Sequence, residues 1–261
     1  MESSLIYYPV IDTEREKGKL LQQTLQAELF STLITQDIEK ADAILVGGGD
    51  GFMLETIKKY QEYQKIFFGV NCGTLGFLLN EINNPKDIPT QKEEMQIINA
   101  PLLEVEATQN DGTKHKRYAI NDVMIWGECE DHFIFQIKSA EIDQEVKGSW
   151  LVISTPLGSS GFWLSNGWPL LSIQSKSLGI MGTACRPFQY RRIPAQSLTI
   201  SETKKRVPLH IAIDGRGGRI EQIKEFTIAP SDKTVSIWFC GPQLFDDKRD
   251  LLESQKLGGG W

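Results

Sequence analysis

Apolar positions follow two different rhythms along the chain. Up to about residue 95, short apolar runs alternate with stretches of helical period. "LIYYPV" (5–10) predicts a strand and residues 14–29 an amphipathic helix; "AILV" (43–46) predicts a second strand, 51–63 a second helix and "IFFGV" (66–70) a third strand. Met53, Ile57 and Tyr60 fall at i, i+4 and i+7, so the second helix has one apolar face. Strands separated by helices of this length predict βαβ units, hence a parallel, Rossmann-like sheet. The polar, proline-bearing stretch "NPKDIPTQKEE" (84–94) then marks a boundary.

Beyond it the helical period fades. "PLLEVEAT", "RYAINDVMIW", "FIFQIKSAE", "WLVIST", "SLTIS", "VPLHIAID", "FTIAP" and "TVSIWF" are short strand-like runs separated by turn residues. They predict a β-rich, sandwich-like domain. Only Gly158 to about Gly182 has room for a helix or two, and Asp246 to Ser254 has the spacing of a short terminal helix before a loose "LGGGW" end. The expected organisation is an α/β nucleotide-binding domain over 1–97, a β-rich domain over 98–245 and a helix and tail over 246–261.

Composition narrows the function classes. With 261 residues, 40% hydrophobic and 24% charged, the chain can bury a real core, and its net charge of -6 argues against nucleic-acid or anionic-membrane partners. No apolar run approaches the ~20 residues of a membrane span, and "MESSLIYYPV" lacks the basic start of a secretion signal, so a cytoplasmic protein is expected. Cys72, Cys129, Cys185 and Cys240 lie far apart, and His115, His132 and His210 are scattered. Reduced, mostly buried thiols are expected, and no protein-bound structural metal.

The candidate chemistry begins at "AILVGGGDGFMLETIKKY" (43–60), where a strand meets three glycines, Asp50, another glycine and a helix. Each glycine costs about 0.5–1 kcal/mol of backbone entropy relative to alanine, so the turn needs unusual dihedrals or a close approach. Backbone N–H groups in such a turn can gather around phosphate. Asp50 would repel a bare phosphate, so its carboxylate suits taking a proton from a hydroxyl, or holding a cation or sugar hydroxyls. The bland reading is a tight turn with a solvated aspartate. The loop is neither a Walker A sequence nor a G-x-G-x-x-G fingerprint.

A second glycine turn follows in "FFGVNCGTLGFLLNE" (67–81). In order and spacing, "GGGDGFML", "VNCGTLGFL", "YAINDVMI" and "STPLGSSGFWLS" resemble the NAD kinase family, over about residues 40 to 215. The family fold, an α/β domain followed by a β-rich one, agrees with the two rhythms. The resemblance implies that Asp50, flanked by Gly49 and Gly51, lies at the ribose hydroxyls and is the base for the attacking 2′-hydroxyl. It implies that Phe77 lies against adenine, that Asn121 reads the adenine edge and that Asp122 holds ribose hydroxyls. Ser160, Gly161, Phe162 and Ser165 are implied to line the nucleotide pocket, with Asp214 in an acidic turn nearby. An Asn offers a donor and an acceptor together, which suits adenine, and carboxylates suit ribose hydroxyls. Each position also has a plain structural reading: Phe77 as core, "ND" as a strand-edge turn, the serines as helix caps.

Four positions depart from the family pattern. Ser149 and Trp150 stand where the family has Asp and Gly before "STP", Phe162 replaces a Tyr, and Phe52 replaces a small Thr. These changes spare the adenosine side and alter the nicotinamide side. The resemblance implies an NAD kinase that uses ATP or polyphosphate with Mg2+ and forms a homo-oligomer, a tetramer or dimer. The alternatives are a non-catalytic adenine-nucleotide sensor of the same fold, or a kinase of the superfamily with another acceptor.

Overall fold

The structure, a computed structural model, describes residues 4–26, 33–74, 76–91, 96–127, 133–138, 143–172, 175–183, 190–194, 199–204, 209–215 and 218–240. The chain divides into two units, one comprising Met1–Asn99 with Val235–Trp261 and the other Ala100–Thr234. The first is α/β and the second β-rich.

In the first unit, β1 (Tyr7–Ile11), α1 (Glu16–Leu25), β2 (Ala43–Gly48), α2 (Asp50–Tyr60) and β3 (Ile66–Asn71) alternate as the periodicity predicts. β1, β2 and β3 lie side by side in parallel register. Every residue of β2 is buried, the mark of a strand covered on both faces. Met53 and Ile57 of α2 are fully buried, while Tyr60 is half-buried with its ring edge-on to Tyr8. α1 ends at Leu25, earlier than the expected 29, and residues 27–29 lie outside the described segments. Gly18 lets α1 press on the turn before it: a Cβ there would sit 2.0 Å from the Asp12 carbonyl oxygen.

The second unit holds most of β4 (Gln96–Gln109), then β5 (Lys114–Ala119), β6 (Asp122–Gly127), β7 (Phe133–Lys138), β8 (Asp143–Gly148), β9 (Trp150–Ser154), α3 (Phe162–Ser165), β10 (Ser177–Thr183), β11 (Tyr190–Pro194), β12 (Thr199–Lys204) and β13 (Leu209–Ile213). The antiparallel run β13–β6–β9–β10–β11 and the neighbours β8–β7–β12 enclose a core of Val123, Ile125, Phe133, Phe135, Leu151, Ile153, Ile211 and Ile228, among others.

The strands differ from the expected ones in several places. Strand β10 begins inside the Gly158–Gly182 stretch expected to hold a helix or two, because it pairs with β9 and β11, and β11 falls in none of the expected runs. "RYAINDVMIW" is not one strand but two, broken at Ile120 and Asn121. "DQEVKG" forms β8 despite residues that disfavour strands, because it pairs in register with all of β7 and buries Val146. "FTIAP" and "TVSIWF" belong to a single strand, β14 (Ile220–Phe239). Its early part pairs with β12 and β13, and Ile237 and Trp238 pair in parallel with Phe67 and Phe68 of β3. Pairing on both sides keeps the Pro230–Asp232 stretch extended where composition suggests a turn. The expected terminal helix (246–254) lies outside the described residues.

Candidate active site

In the first unit, β1, β2 and β3 end beside one another, and their carboxyl ends lead into residues 12–15, 49 and 72–74. Open parallel sheets bind ligands at this edge. None of Gly47, Gly48, Gly49 or Gly51 has a positive φ, so the glycine run answers to close approach, not to dihedrals. A Cβ at Gly47 would sit 2.6 Å from Leu21 and 2.9 Å from Ile11; one at Gly48 would sit 2.6 Å from the Phe52 ring. Phe52 thus folds over Gly48. At Gly51 nothing lies within 4 Å. The protein gives that glycine no steric reason to lack a side chain.

Asp50 is the first residue of α2. Its two carboxylate oxygens accept the backbone N–H groups of Phe77 and Leu78, each at 3.0 Å. One carboxylate therefore ties the first glycine turn to the second. Asn80 anchors the second turn from behind, donating to the carbonyls of Gly69 (2.9 Å) and Trp238 (3.0 Å) and accepting from the Cys240 N–H (2.7 Å). Phe77 is buried, 6% exposed. Burial raises the pKa of the neighbouring Cys72 thiol, and Lys17 pulls it back.

Two residues passed over in the sequence stand at this edge. The Arg15 Nε donates to Asp12 (2.9 Å), and its outer nitrogens lie 3.5 Å from the Cβ position of Gly49 and 3.4 Å from that of Gly73. Lys17 Nζ reaches the Gly73 carbonyl at 3.5 Å. The signal available was a basic pair at the start of the helix that follows the first strand of a parallel sheet.

In the second unit, Asn121 sits in the break between β5 and β6, and Asp122 opens β6. Asp214, held at φ +49 just after β13, accepts the backbone N–H groups of Ile120 (3.0 Å to both oxygens), Asn121 (2.7 Å) and Asp122 (3.2 Å). Its own N–H donates to the Asp122 carbonyl at 2.9 Å. From the other side, the Thr155 N–H donates to the Asn121 carbonyl (2.8 Å) and the Thr155 hydroxyl to that of Ile120 (2.5 Å). Gly158 is pressed against this peptide: a Cβ there would sit 2.0 Å from the Asn121 carbonyl oxygen, so no side chain fits. The Asn121 backbone is thus clamped on both sides, yet its side-chain Oδ1 is buried and meets no hydrogen-bond partner among the described residues. Native structures seldom strand a buried acceptor unless something outside the chain meets it.

The "STPLGSSGFWLS" segment surrounds that clamp. Ser159, fully buried, donates to the Pro156 carbonyl (2.7 Å) and accepts from the Leu171 N–H (3.1 Å), which closes the loop onto itself. Ser160 donates to Leu157 (3.3 Å), Gly161 is exposed and Phe162 is 42% exposed. Ser165, on the exposed side of α3, donates to the Phe162 carbonyl at 2.7 Å. Trp150 lies across the strand pair from Trp126, the two rings stacked at 5.4 Å and 13°, so one ring face is already covered.

The architecture has solved counterparts. A yeast NADH kinase solved with NADH superposes with a TM-score of 0.75 at 15% identity, over 100% of this chain and 90% of that one. An NAD kinase from Archaeoglobus fulgidus solved with ATP gives 0.68 at 15% identity, over 98% of this chain and 100% of that one. The fold is therefore that of the NAD(H) kinases. No family model matches the chain. Its relatives in sequence include the NAD kinase of Rickettsia bellii (strain OSU 85-389), 31% identical over 234 residues, and that of Rickettsia conorii (strain ATCC VR-613 / Malish 7), 34% identical over 233; each likeness covers 85% of this chain and 88% of the relative. The chain belongs to the NAD kinase family.

Proposed function

We propose that the chain is an NAD kinase, moving a phosphoryl group from ATP or polyphosphate to the 2′-hydroxyl of the adenosine ribose of NAD, with NADP as product. The observation that carries the reading is the 31% and 34% identity to NAD kinases over 85% of the chain. The sensor and other-acceptor alternatives are set aside on the same ground.

Residue by residue, Asp50 takes the proton of the attacking hydroxyl. Gly49 and Gly51 leave the turn bare on its ligand side, which the open space at Gly51 supports. Asn121 offers its unsatisfied Oδ1 to the adenine amino group, and Asp122 serves the ribose hydroxyls. Phe77 sets the apolar wall against adenine, while Ser160, Gly161, Phe162 and Ser165 line the nucleotide pocket. Among the described residues no group of three His, Cys, Asp or Glu is placed to hold a metal ion. Magnesium is read, from the family resemblance, as arriving on the donor's phosphates, where it neutralises charge developing on the transferred group. Among the described residues no helix is long and apolar enough to cross a membrane; a cytoplasmic homo-oligomer, dimer or tetramer, is the reading the family resemblance favours.

Purified chain mixed with ATP, magnesium and NAD is expected to form NADP. If NAD, NADH and polyphosphate pairings all leave NADP at the no-enzyme level, the reading fails. Asn121→Ala is expected to weaken NAD or AMP binding by about 1–3 kcal/mol in calorimetric titration. Because the lost acceptor meets no donor among the described residues, the melting temperature should hold or rise slightly. Unchanged affinity would place Asn121 outside the pocket.

A further inference from the structure

The geometry points to Arg15 and Lys17 as the seat of the donor's terminal phosphates, over the backbone of Gly49 and Gly73. The inference rests on the kinase reading and adds to it a binding site for a polyphosphate anion, built wholly within the first unit.

Arg15 is fixed but largely unspent. Its Nε–H is committed to Asp12 at 2.9 Å, which sets the plane of the guanidinium. A guanidinium carries five N–H donors, and among the described residues the four on the outer nitrogens meet no acceptor. The side chain is 48% exposed, whereas Asp12 is 16% exposed. An exposed ion pair of this kind adds little stability, so holding the fold together is a weak reason for this placement. An arginine with a structural task usually spends its outer nitrogens on carbonyls or carboxylates; here they face two glycines, 3.5 Å from the Cβ position of Gly49 and 3.4 Å from that of Gly73.

The surroundings suit an anion. Lys17 converges on the same turn, its Nζ at 3.5 Å from the Gly73 carbonyl. The two nearest carboxylates are turned to partners of their own, Asp12 to Arg15 and Asp50 to the Phe77 and Leu78 amides. Gly49 and Gly73 leave backbone bare beneath the guanidinium, and the first-turn N–H groups of α2, which no helix satisfies internally, begin at the same place. The flat outer edge of a guanidinium matches two oxygens of one phosphate, which a lysine cannot do. All of these groups sit at the carboxyl ends of three adjacent parallel strands.

The test is calorimetric titration of the full chain with inorganic tripolyphosphate and, separately, with NAD. Loss of a charge-assisted pair is expected to weaken tripolyphosphate binding by about tenfold to a hundredfold in Arg15→Ala and by about threefold to tenfold in Lys17→Ala, with NAD affinity within about twofold of wild type. Arg15→Lys keeps the charge without the fork and should fall between wild type and Arg15→Ala; it also serves if the alanine variant melts early. Tripolyphosphate binding that is absent in the wild type, or equal in all four proteins, overturns the proposal, as does an equal loss of NAD affinity. The kinase reading stands or falls separately, on whether the wild type forms NADP.

Discussion

Asp50→Asn is expected to cut turnover by about 10²–10⁴-fold, the usual contribution of a positioned general base. The structure adds a second consequence. Both carboxylate oxygens accept backbone N–H groups, from Phe77 and Leu78. An asparagine can keep one of these and must set its amide donor against the other, at a cost of about 1–3 kcal/mol. For a chain of this size that corresponds to a fall in melting temperature of about 2–4 °C per kcal/mol. Steady-state NADP formation and a thermal melt separate the two roles. A base loses kcat far more than the modest instability explains, with the Michaelis constants for NAD and donor little changed. If the variant melts early but keeps kcat within tenfold of wild type, Asp50 only ties the two glycine turns together.

Asp214→Ala should be the most damaging change in the second unit. One carboxylate satisfies the N–H groups of Ile120, Asn121 and Asp122, and its residue adopts φ +49, which aspartate tolerates better than alanine. Removing it strands three amides beside a clamped turn and is expected to cost about 3 kcal/mol or more. NAD affinity should fall at least about tenfold, because Asn121 is aimed by the turn that Asp214 holds. Asp214→Asn is the informative partner. Oδ1 receives all three residues while Oδ2 receives only Ile120, so an amide oxygen in the Oδ1 place preserves most of the clamp. Its cost should be about 1–2 kcal/mol. Thermal melts and calorimetric titration with NAD check both variants. An alanine variant that melts and binds like wild type would remove Asp214 from any positioning role.

The same aspartate shows why part of the site was illegible. "RYAINDVMIW" reads as one strand because β-forming residues run through it. The ladder breaks at Ile120 and Asn121 because their N–H groups go to a carboxylate more than ninety positions away. No local propensity encodes that competition. Arg15 was missed for a related reason: a basic residue at a helix start is common, and only the meeting of three strand ends gives its outer nitrogens their place. Trp150 could be marked as a departure from the family, but its stacking on Trp126 depends on strand register, which a single strand cannot reveal.

By itself, the sequence determined the strand–helix alternation of the first unit, the β-rich texture of the second, the glycine turn with its one aspartate and the resemblance to the NAD kinases. These are local properties: periodicity, the absence of a Cβ and the order of short motifs. Only the tertiary structure decided that Gly47 and Gly48 serve packing and not strained dihedrals, that β14 carries the chain back to pair with β3, that Asp50 and Asp214 bind distant amides and that the buried Asn121 acceptor is unmet among the described residues. Each of these is a contact between residues far apart in the chain. Such contacts follow from which surfaces close against one another, and no stretch of sequence contains that closure.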